Sequence, residues 1–320
     1  MAMFRSLLLL NLVALPAIAT GNWAFVLNST DDDYSVIDMS RYEELRRVPV
    51  GKGPHHLVLT PDGKYIVVGN AGSNNLVLVD PVSGELVKRI PGIADPYHLA
   101  FSPDNKWFVA NGNRLDRVDI YRYDNADFRL VKRVRLPKTP SHMAYSPDSS
   151  RVYITLQESD QVARIDLDSQ TVDWVVSVGR QPAGIWMTPD NKHLLVAHTG
   201  ADDLSVLEAG QGGIVKTIKT DKGAHNFTAV GDGRHLLLSN RVAGNISVID
   251  YHDLKEVERF PVPGGPDDME LTNDGQELWV TTRWINRVTV VDWPSRKVKK
   301  LIKVGRSPHG LYFRNHAPRQ

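Results

Sequence analysis

The chain has 320 residues, of which 42% are hydrophobic and 23% are charged, and it contains no cysteine. This composition is typical of a folded protein rather than a disordered or membrane-embedded one. The lack of cysteine excludes disulfides, thiolate metal sites and cysteine nucleophiles. The formal net charge is only +1, so no overall field favours a polyanion, and we expect no nucleic-acid partner.

The N-terminus has the pattern of a secretory signal peptide. Arg5 precedes an apolar core from Leu7 to Leu15, and Ala17-Ile18-Ala19 supplies the small residues of a cleavage site. We predict that residues 1–19 are a signal peptide cleaved after Ala19. No later stretch approaches 18 consecutive apolar residues, so we expect no membrane span. The mature chain should be exported, to the periplasm of a Gram-negative cell or otherwise to the medium.

A repeat of 42 residues runs through the rest of the chain. Its marker is a proline, replaced once by alanine, at Pro54, Pro96, Pro140, Pro182, Ala224, Pro266 and Pro308. The spacing is 42 residues in every interval but one, which is 44. Each unit contains short runs of alternating apolar residues bounded by Asp, Asn and Gly, which predict β-strands and tight turns. Forty-two residues hold about four such strands, which is the size of a β-propeller blade.

The two ends of the chain complete one further unit. The N-terminal "WAFVLNSTDDDYSVIDMSRYEELRRVPVG" matches the last three strands of a blade, and the C-terminal "SPHGLYFRN" matches the first. The predicted fold is therefore an all-β, seven-bladed β-propeller, a single domain over residues 20–320, in which both termini share one blade. Such closure leaves no open sheet edge. The unit that begins at Pro96 departs most, and we expect a protruding hairpin near Tyr121 to Lys132.

The repeat resembles the YVTN-type β-propeller family. The resemblance is carried by "GKYIVVGNAGSNNLVLVDPVSGELVKRIPG", "GRHLLLSNRVAGNISVIDYHDLKEVERFPVPG" and "QELWVTTRWINRVTVVDWPSRKVKKLIKVG", and it covers Trp23 to Arg314. It implies the propeller fold and leaves the activity open, because propellers host many unrelated functions.

The two positions after each marker residue vary between units and are rich in histidine. They are His55-His56, Tyr97-His98, Ser141-His142, Ala183-Gly184, His225-Asn226, Asp267-Asp268 and His309-Gly310. Six of the eleven histidines occupy these fourteen positions. A residue that fastens blades would recur in every unit, so the variation indicates one central site built from different blades. Simple hydrogen bonding to the neighbouring blade remains the alternative for any single histidine.

These positions and the loops between second and third strands should share one face of the propeller, which we call the front face. His198 stands where other units have asparagine, and we expect it to point inward with the other histidines. The candidate ligands for a metal or other cofactor are His55, His56, His98, His142, His198, His225 and His309. The supporting residues of the front face are Tyr97, Glu158, Arg241, Asp267, Asp268 and Arg283.

The first functional hypothesis is an exported binding or assembly protein, monomeric and not an enzyme. Its histidines would hold a transition metal, with copper favoured, or a haem-like tetrapyrrole, or would serve a redox or other protein partner. The placement of "PHHL" and "SPHG" is similar in kind to the copper-cluster domain of nitrous-oxide reductases and to haem-d1 propellers. That resemblance implies a cofactor but assigns no individual ligand.

Two alternatives stay open. In a lactonase-like ring-opening hydrolase, His142 or His225 would act as base, with Asp267 or Glu158 as its orienting group. Arg241 or Arg283 would hold a substrate carboxylate. In a protein–protein interaction scaffold, the contact patch would be the extended hairpin, with exposed aromatic rings at Tyr121, Tyr123 and Phe128.

Overall fold

The computed structural model describes residues 22–318, so the predicted signal peptide, residues 1–19, lies outside the described residues. The chain forms seven antiparallel sheets of four strands each. The sheets are the blades of a β-propeller, as the repeat predicts. Within residues 22–318, no helix is long and apolar enough to cross a membrane.

The strands are named in chain order. The blade shared by both ends contains β1 (Trp23–Asn28), β2 (Asp33–Asp38) and β3 (Glu43–Pro49), with β28 (Pro308–Phe313) as its inner strand. Blade 1 is β4 (Pro54–Leu59), β5 (Ile66–Asn70), β6 (Asn75–Val79) and β7 (Leu86–Pro91). Blade 2 is β8 (Pro96–Phe101), β9 (Trp107–Gly112), β10 (Arg117–Asp124) and β11 (Asp127–Arg135). Blade 3 is β12 (Pro140–Tyr145), β13 (Arg151–Leu156), β14 (Gln161–Asp166) and β15 (Thr171–Ser177).

The remaining blades follow the same order. Blade 4 is β16 (Pro182–Met187), β17 (His193–His198), β18 (Asp203–Glu208) and β19 (Ile214–Lys219). Blade 5 is β20 (Ala224–Ala229), β21 (His235–Asn240), β22 (Asn245–Asp250) and β23 (Lys255–Pro261). Blade 6 is β24 (Pro266–Leu271), β25 (Glu277–Thr282), β26 (Arg287–Asp292) and β27 (Lys297–Lys303). Three short 3-10 helices span Asn113–Leu115, Gln157–Ser159 and Arg283–Ile285.

The ring closes through the pairing of β28 with β1, in which Phe25 lies opposite Tyr312 and Ala24 opposite Phe313. This is the shared blade that the sequence predicts. The hydrophobic core lies between neighbouring blades. For example, Ile120 of blade 2 packs in one buried cluster with Ile154 of blade 3. Each blade therefore depends on its neighbours for the burial of its apolar side chains.

Every inner strand carries a break in its register just after the marker residue. In β4 the break falls between Pro54 and Leu57, and in β24 it falls between Pro266 and Met269. The other five inner strands are interrupted at the corresponding place. A bulge of this kind changes the direction of the side chains within it. In six blades the residues that it displaces are the variable, histidine-rich pair found in the sequence, and in blade 2 it displaces Tyr97 while His98 pairs with Asn111.

The turns between first and second strands are built by side-chain hydrogen bonds. In blade 3, Asp148 accepts a hydrogen bond from the Ser146 hydroxyl at 2.5 Å and from the Ser150 backbone N–H at 3.0 Å. In blade 1, Thr60 and Asp62 make the equivalent contact at 2.6 Å. The sequence pattern identifies the Asp as a turn residue, and the structure adds the preceding hydroxyl as its partner.

The hairpin of blade 2 is longer than its counterparts but differs from the predicted contact patch. Its strands contain eight and nine residues and are joined by Asn125 and Ala126, which both have positive φ. Tyr121 was expected to be exposed, and that expectation is wrong, because its side chain is buried against Phe108. Phe128 is half-buried in the same aromatic cluster. The rings of the hairpin thus close the core of blade 2.

The turn Asp can be tested by Asp148→Ala. We expect the free energy of unfolding to fall by about 1–2 kcal/mol, because the substitution leaves a hydroxyl and a backbone N–H without their acceptor. Urea denaturation measures this difference. The matched control is Asp127→Ala in the hairpin, where the carboxylate is exposed and makes no hydrogen bond among the described residues; a change within about 0.5 kcal/mol is expected. Equal losses in both variants would contradict the role given to Asp148.

Candidate functional site

Six histidines of the inner strands meet in one cluster, and the ring of Tyr97 stacks against His55. The ring centroids of His55 and His309 are 3.8 Å apart, and those of His55 and Tyr97 are 3.9 Å apart. His56 lies 4.4 Å from His98 and 4.6 Å from His309. Inner strands that are distant in sequence therefore bring these imidazoles together, as the unit-to-unit variation indicates.

The cluster extends through His142 toward the acidic side of the ring. His142 lies 5.1 Å from His98 and 5.3 Å from His225, measured between ring centroids. Two neighbours orient it. The Ser141 hydroxyl lies 3.0 Å from its Nδ1, and its backbone N–H donates to the Thr155 hydroxyl at 3.0 Å. That backbone contact replaces a ladder hydrogen bond lost at the bulge.

Burial keeps the histidines neutral. It lowers the pKa of His98 to about 3 and that of His225 to about 4. In His55, His56 and His309, burial is again the main reason that the pKa lies well below its ordinary value, and the neighbouring imidazoles add to it. Since a neutral imidazole has a free lone pair, the cluster is ready to coordinate a metal without first losing a proton.

Asp267 anchors a charged network beside the cluster. Its side chain is 0% exposed, and its Oδ1 lies 2.8 Å from His225 Nδ1 and accepts a hydrogen bond from Arg241 Nη2 at 2.6 Å. Its Oδ2 accepts from Arg283 Nη1 at 3.2 Å and lies 3.6 Å from His309 Nε2. Burial would raise the pKa of this carboxyl. Interactions with His309, Arg241 and His225 outweigh burial and hold the pKa well below its usual range.

Two groups of residues have metal-ligand geometry in the described part of the chain. Their ligand atoms lie within 4.8 Å of one another, and the groups are His55, His56 and His309, and His225, Asp267 and His309. The second group is partly engaged, because Arg241 Nη2 donates to His225 Nε2 at 2.5 Å and to Asp267 Oδ1 at 2.6 Å, although His225 Nδ1 has no hydrogen-bond partner. In the first group, His55 Nδ1, His56 Nε2 and both nitrogens of His309 are buried without a hydrogen-bond partner. We call this first group the histidine trio.

A partly open cavity lies against the cluster, between the inner strands. Its volume is about 230 Å³, and the inner strands line it with His56, His98, His142, Asp268 and Glu270, together with apolar side chains. Asp268 accepts a hydrogen bond from the Asn226 amide, and its Oδ2 lies 3.9 Å from His309 Nδ1. The cavity can accept a small ion or a few water molecules.

His198 does not join the cluster, and the expectation that it points inward is wrong. Its Nε2 accepts a hydrogen bond from the Gly179 backbone N–H at 3.2 Å, and its Nδ1 lies 2.9 Å from Asp203. Asn240 fills the corresponding place in blade 5 and donates to Asn245 and Ser247. The last residue of the second strand, His198 in blade 4 and Asn240 in blade 5, therefore holds that strand end in place through hydrogen bonds. The sequence already indicated this structural role, because other units have asparagine at the position of His198.

The predicted supporting residues divide into two sets. Arg241, Arg283, Asp267, Asp268 and Tyr97 all contact the histidine cluster or its network, as described above. Glu158 is exposed in its 3-10 helix, and none of the contacts described for residues 22–318 links it to a histidine.

Sequence reasoning overlooked the hydroxyl groups that support the bulges. The Thr155 hydroxyl accepts the His142 backbone N–H, and the Ser239 and Thr281 hydroxyls accept those of the equivalent residues in their blades. The signal was present, because these hydroxyls lie fifteen residues after the marker in three units, within strands that are otherwise apolar.

Comparison with known proteins identifies the family. The model of the YNCE-like β-propeller family matches residues 6–319. The chain belongs to the YNCE-like β-propellers. The match confirms the propeller fold implied by the resemblance to YVTN repeats, although the family itself is the YNCE-like one. No curated protein sequence is significantly similar to the chain.

Solved structures with the same fold differ in function. A functionally unknown protein from Desulfotomaculum acetoxidans aligns with TM-score 0.79 and 17% identity, over 92% of this chain and 99% of that one. The 6-phosphogluconolactonase-like protein of Bacteroides uniformis gives 0.73 and 17%, over 91% and 99%. The dihydro-heme d1 dehydrogenase NirN gives 0.66 and 20%, over 94% and 78%. At these identities the alignments show the fold alone.

The neutral histidines make stability depend on pH. In the unfolded chain a histidine has a pKa near 6.5, whereas folding lowers the pKa of His225 to about 4. As the pH falls below 6.5, the unfolded chain binds protons that the folded chain does not, so the free energy of unfolding decreases. At pH 5 the loss is about 2 kcal/mol for each histidine that stays neutral. Urea denaturation of the metal-free protein at pH 7.5 and pH 5 measures it.

The comparison variant for this experiment is His56→Ala/His98→Ala/His142→Ala. Since it removes three of the groups that must stay neutral, its free energy of unfolding should depend less on pH than that of the wild type. If both proteins lose the same stability between pH 7.5 and pH 5, the histidine cluster is not the origin of the acid sensitivity.

Proposed function

We propose that this protein is an exported binding protein that holds one transition-metal ion in the histidine trio. The observation that carries the proposal is the set of buried ring nitrogens of His55, His56 and His309 that lack hydrogen-bond partners. Leaving a buried polar atom unpaired costs about 1–3 kcal/mol. Three such residues facing one another are therefore a strong argument for a bound ion that pairs them.

The chemistry of the ligands favours copper. Imidazole suits copper, zinc, iron and nickel, and among divalent ions of this series Cu²⁺ binds nitrogen and oxygen sites most tightly. Three histidines leave at least one coordination position open for a further ligand. A haem-like tetrapyrrole fits less well, since the cavity beside the cluster, about 230 Å³, is smaller than the ~300–1,000 Å³ of typical small-molecule pockets.

Export is supported by the signal-peptide pattern of residues 1–19. In an exported chain without cysteine, metal binding falls to imidazole and carboxylate groups, and these are the groups that the front face concentrates. A monomer that delivers or stores an ion for a redox or assembly partner fits this arrangement.

Metal binding can be tested with His56→Ala/His309→Ala. We expect the affinity for Cu²⁺ and Zn²⁺, measured by calorimetry against a competing chelator, to fall about 100-fold or more, because two of the three ligands are lost. The control is His193→Ala/His235→Ala, which removes two histidines that begin second strands on the opposite face. Circular dichroism verifies that each variant is folded.

The outcomes of this experiment are distinct. Stoichiometric binding that the first variant loses and the control keeps supports the site. Unchanged binding in the trio variant, or no binding by the wild type, refutes it. An absorption spectrum of protein isolated from its native host is recorded in parallel, and a Soret band there would replace the metal ion with a tetrapyrrole.

A ring-opening hydrolase is the second candidate, and one contact favours it. His225 Nδ1 lies 2.8 Å from Asp267 Oδ1, which is the arrangement of a general base with its orienting carboxylate. Against this, the Nε2 of His225 already accepts a hydrogen bond from Arg241. Hydrolysis of a δ-lactone that is lost in His225→Asn and retained in His193→Ala would establish this activity. Absence of turnover in the wild type would exclude it for that substrate class.

A further inference from the structure

The front face carries a ring of exposed basic side chains around the histidine cluster, with acidic side chains such as Asp32, Asp116 and Asp160 in the same loops. Five of the seven residues that lie two positions before a marker are basic and exposed: Lys52, Lys138, Arg180, Lys222 and Arg306. Arg306 pairs with Asp31. For the other four, no ion pair or side-chain hydrogen bond occurs among the described residues. This concentration is notable in a chain whose net charge is only +1.

Inside this ring, two arginines share one carboxylate. Arg241 and Arg283 both bind Asp267, which is the only acid that forms an ion pair with either of them in residues 22–318. Counted for these three groups alone, the formal charge is +1; the next carboxylate is that of Asp268, whose Oδ2 lies 3.9 Å from His309 Nδ1. In addition, the Nε–H of Arg241 is buried and has no hydrogen-bond partner. Both side chains keep about a quarter of their surface exposed, so a ligand from solvent can reach them.

The same carboxylate joins the arginines to the histidine trio. Asp267 Oδ2 lies 3.2 Å from Arg283 Nη1 and 3.6 Å from His309 Nε2. A small anion that contacts the arginines would therefore lie beside the imidazoles.

We infer that Arg241 and Arg283 form an anion subsite that binds a carboxylate ligand next to the histidine trio, so that the metal is held together with a carboxylate chelator. The role of the chelator as a metal ligand rests on the proposed function, whereas the anion subsite itself does not. Arg241 Nη2 already donates to His225 and Asp267, and Arg283 uses its Nε on Ser307 and its Nη1 on Asp267. Each guanidinium keeps one terminal nitrogen, Nη1 of Arg241 and Nη2 of Arg283, whose N–H groups can donate to a carboxylate oxygen. The open coordination position left by three histidines is where the same anion would meet the metal.

The carboxylate has two possible sources with the same chemistry, namely a free small acid or an acidic side chain of a partner protein. Citrate is the probe for the first and a hexaglutamate peptide for the second. Calorimetry measures the binding of each probe to the mature protein, first free of metal and then loaded with Zn²⁺, which has no redox chemistry. Citrate binding at low micromolar to millimolar levels without a response to the peptide identifies a small-acid site, and the reverse identifies a protein partner.

Arg241→Gln and Arg283→Gln test the subsite. Each should weaken binding of the responding probe to the metal-free protein about 10- to 100-fold, the usual effect of losing a charge-assisted hydrogen bond. Because Asp267 is buried, Arg283→Lys is examined as well. It keeps the charge that stabilises the fold but has one terminal nitrogen instead of two, so it cannot serve Asp267 and the ligand equally well and we expect an intermediate affinity. The matched control is Arg114→Gln, since Arg114 lies in a front-face loop of blade 2 and pairs with a different acid, Asp95.

The results separate the two proposals. Binding to the metal-free protein that the Arg241 and Arg283 variants weaken and the Arg114 variant keeps supports the anion subsite, even if no metal binds. Binding that appears only with Zn²⁺ and is unchanged in the arginine variants overturns the subsite and leaves the metal site intact. Failure of both probes to bind either form also overturns it. Equal weakening in all three glutamine variants would indicate general attraction by the ring, which contradicts a defined subsite.

Discussion

The bulge that follows the marker residue in each inner strand is the constraint on which the site depends. It frees two consecutive residues from the regular ladder in six blades and Tyr97 alone in blade 2, and these residues surround one axis. The backbone at these points is stabilised from the second strand, as the Thr155 hydroxyl does for His142. Since this support comes from the scaffold, the side chains in the bulges can differ from blade to blade without disturbing the fold.

The site buries polar and charged groups, and the free-energy cost of removing them from water is borne by the rest of the fold. Neutral imidazoles are packed against one another, and a fully buried carboxylate is paired with two arginines. Each of these groups is expensive to remove from water. The burial of apolar side chains between blades and the closure of the ring offset this cost. If a metal ion and an anion bind as proposed, they would pair the buried groups and lower it. On the front face these groups surround one axis, whereas turns of the opposite face are closed by hydrogen bonds such as that between Ser146 and Asp148.

Most of the fold can be predicted from the sequence because the same 42-residue pattern recurs in every blade and each copy supports the interpretation of the others. The marker residues and turn aspartates set the number of blades, and the unmatched terminal segments predict the shared one. Side-chain direction is harder to predict. His198 and His142 are both histidines on the front face, yet only the contacts of Gly179 and Asp203 show that His198 is structural. Likewise, the alternation of polar and apolar residues in the long hairpin does not show that the Tyr121 side chain is buried, because its burial depends on packing against Phe108 of the neighbouring strand.

The closure of the ring also determines when the site can exist. His309, which belongs to both groups with metal-ligand geometry, lies on β28, the last of the described strands to leave the ribosome. Until that strand pairs with β1, the axis is open and the other histidines have no complete set of neighbours. A chain interrupted directly before β28 would contain the other described strands but would lack His309. Assembly of the histidine cluster therefore has to wait for the closure of the ring.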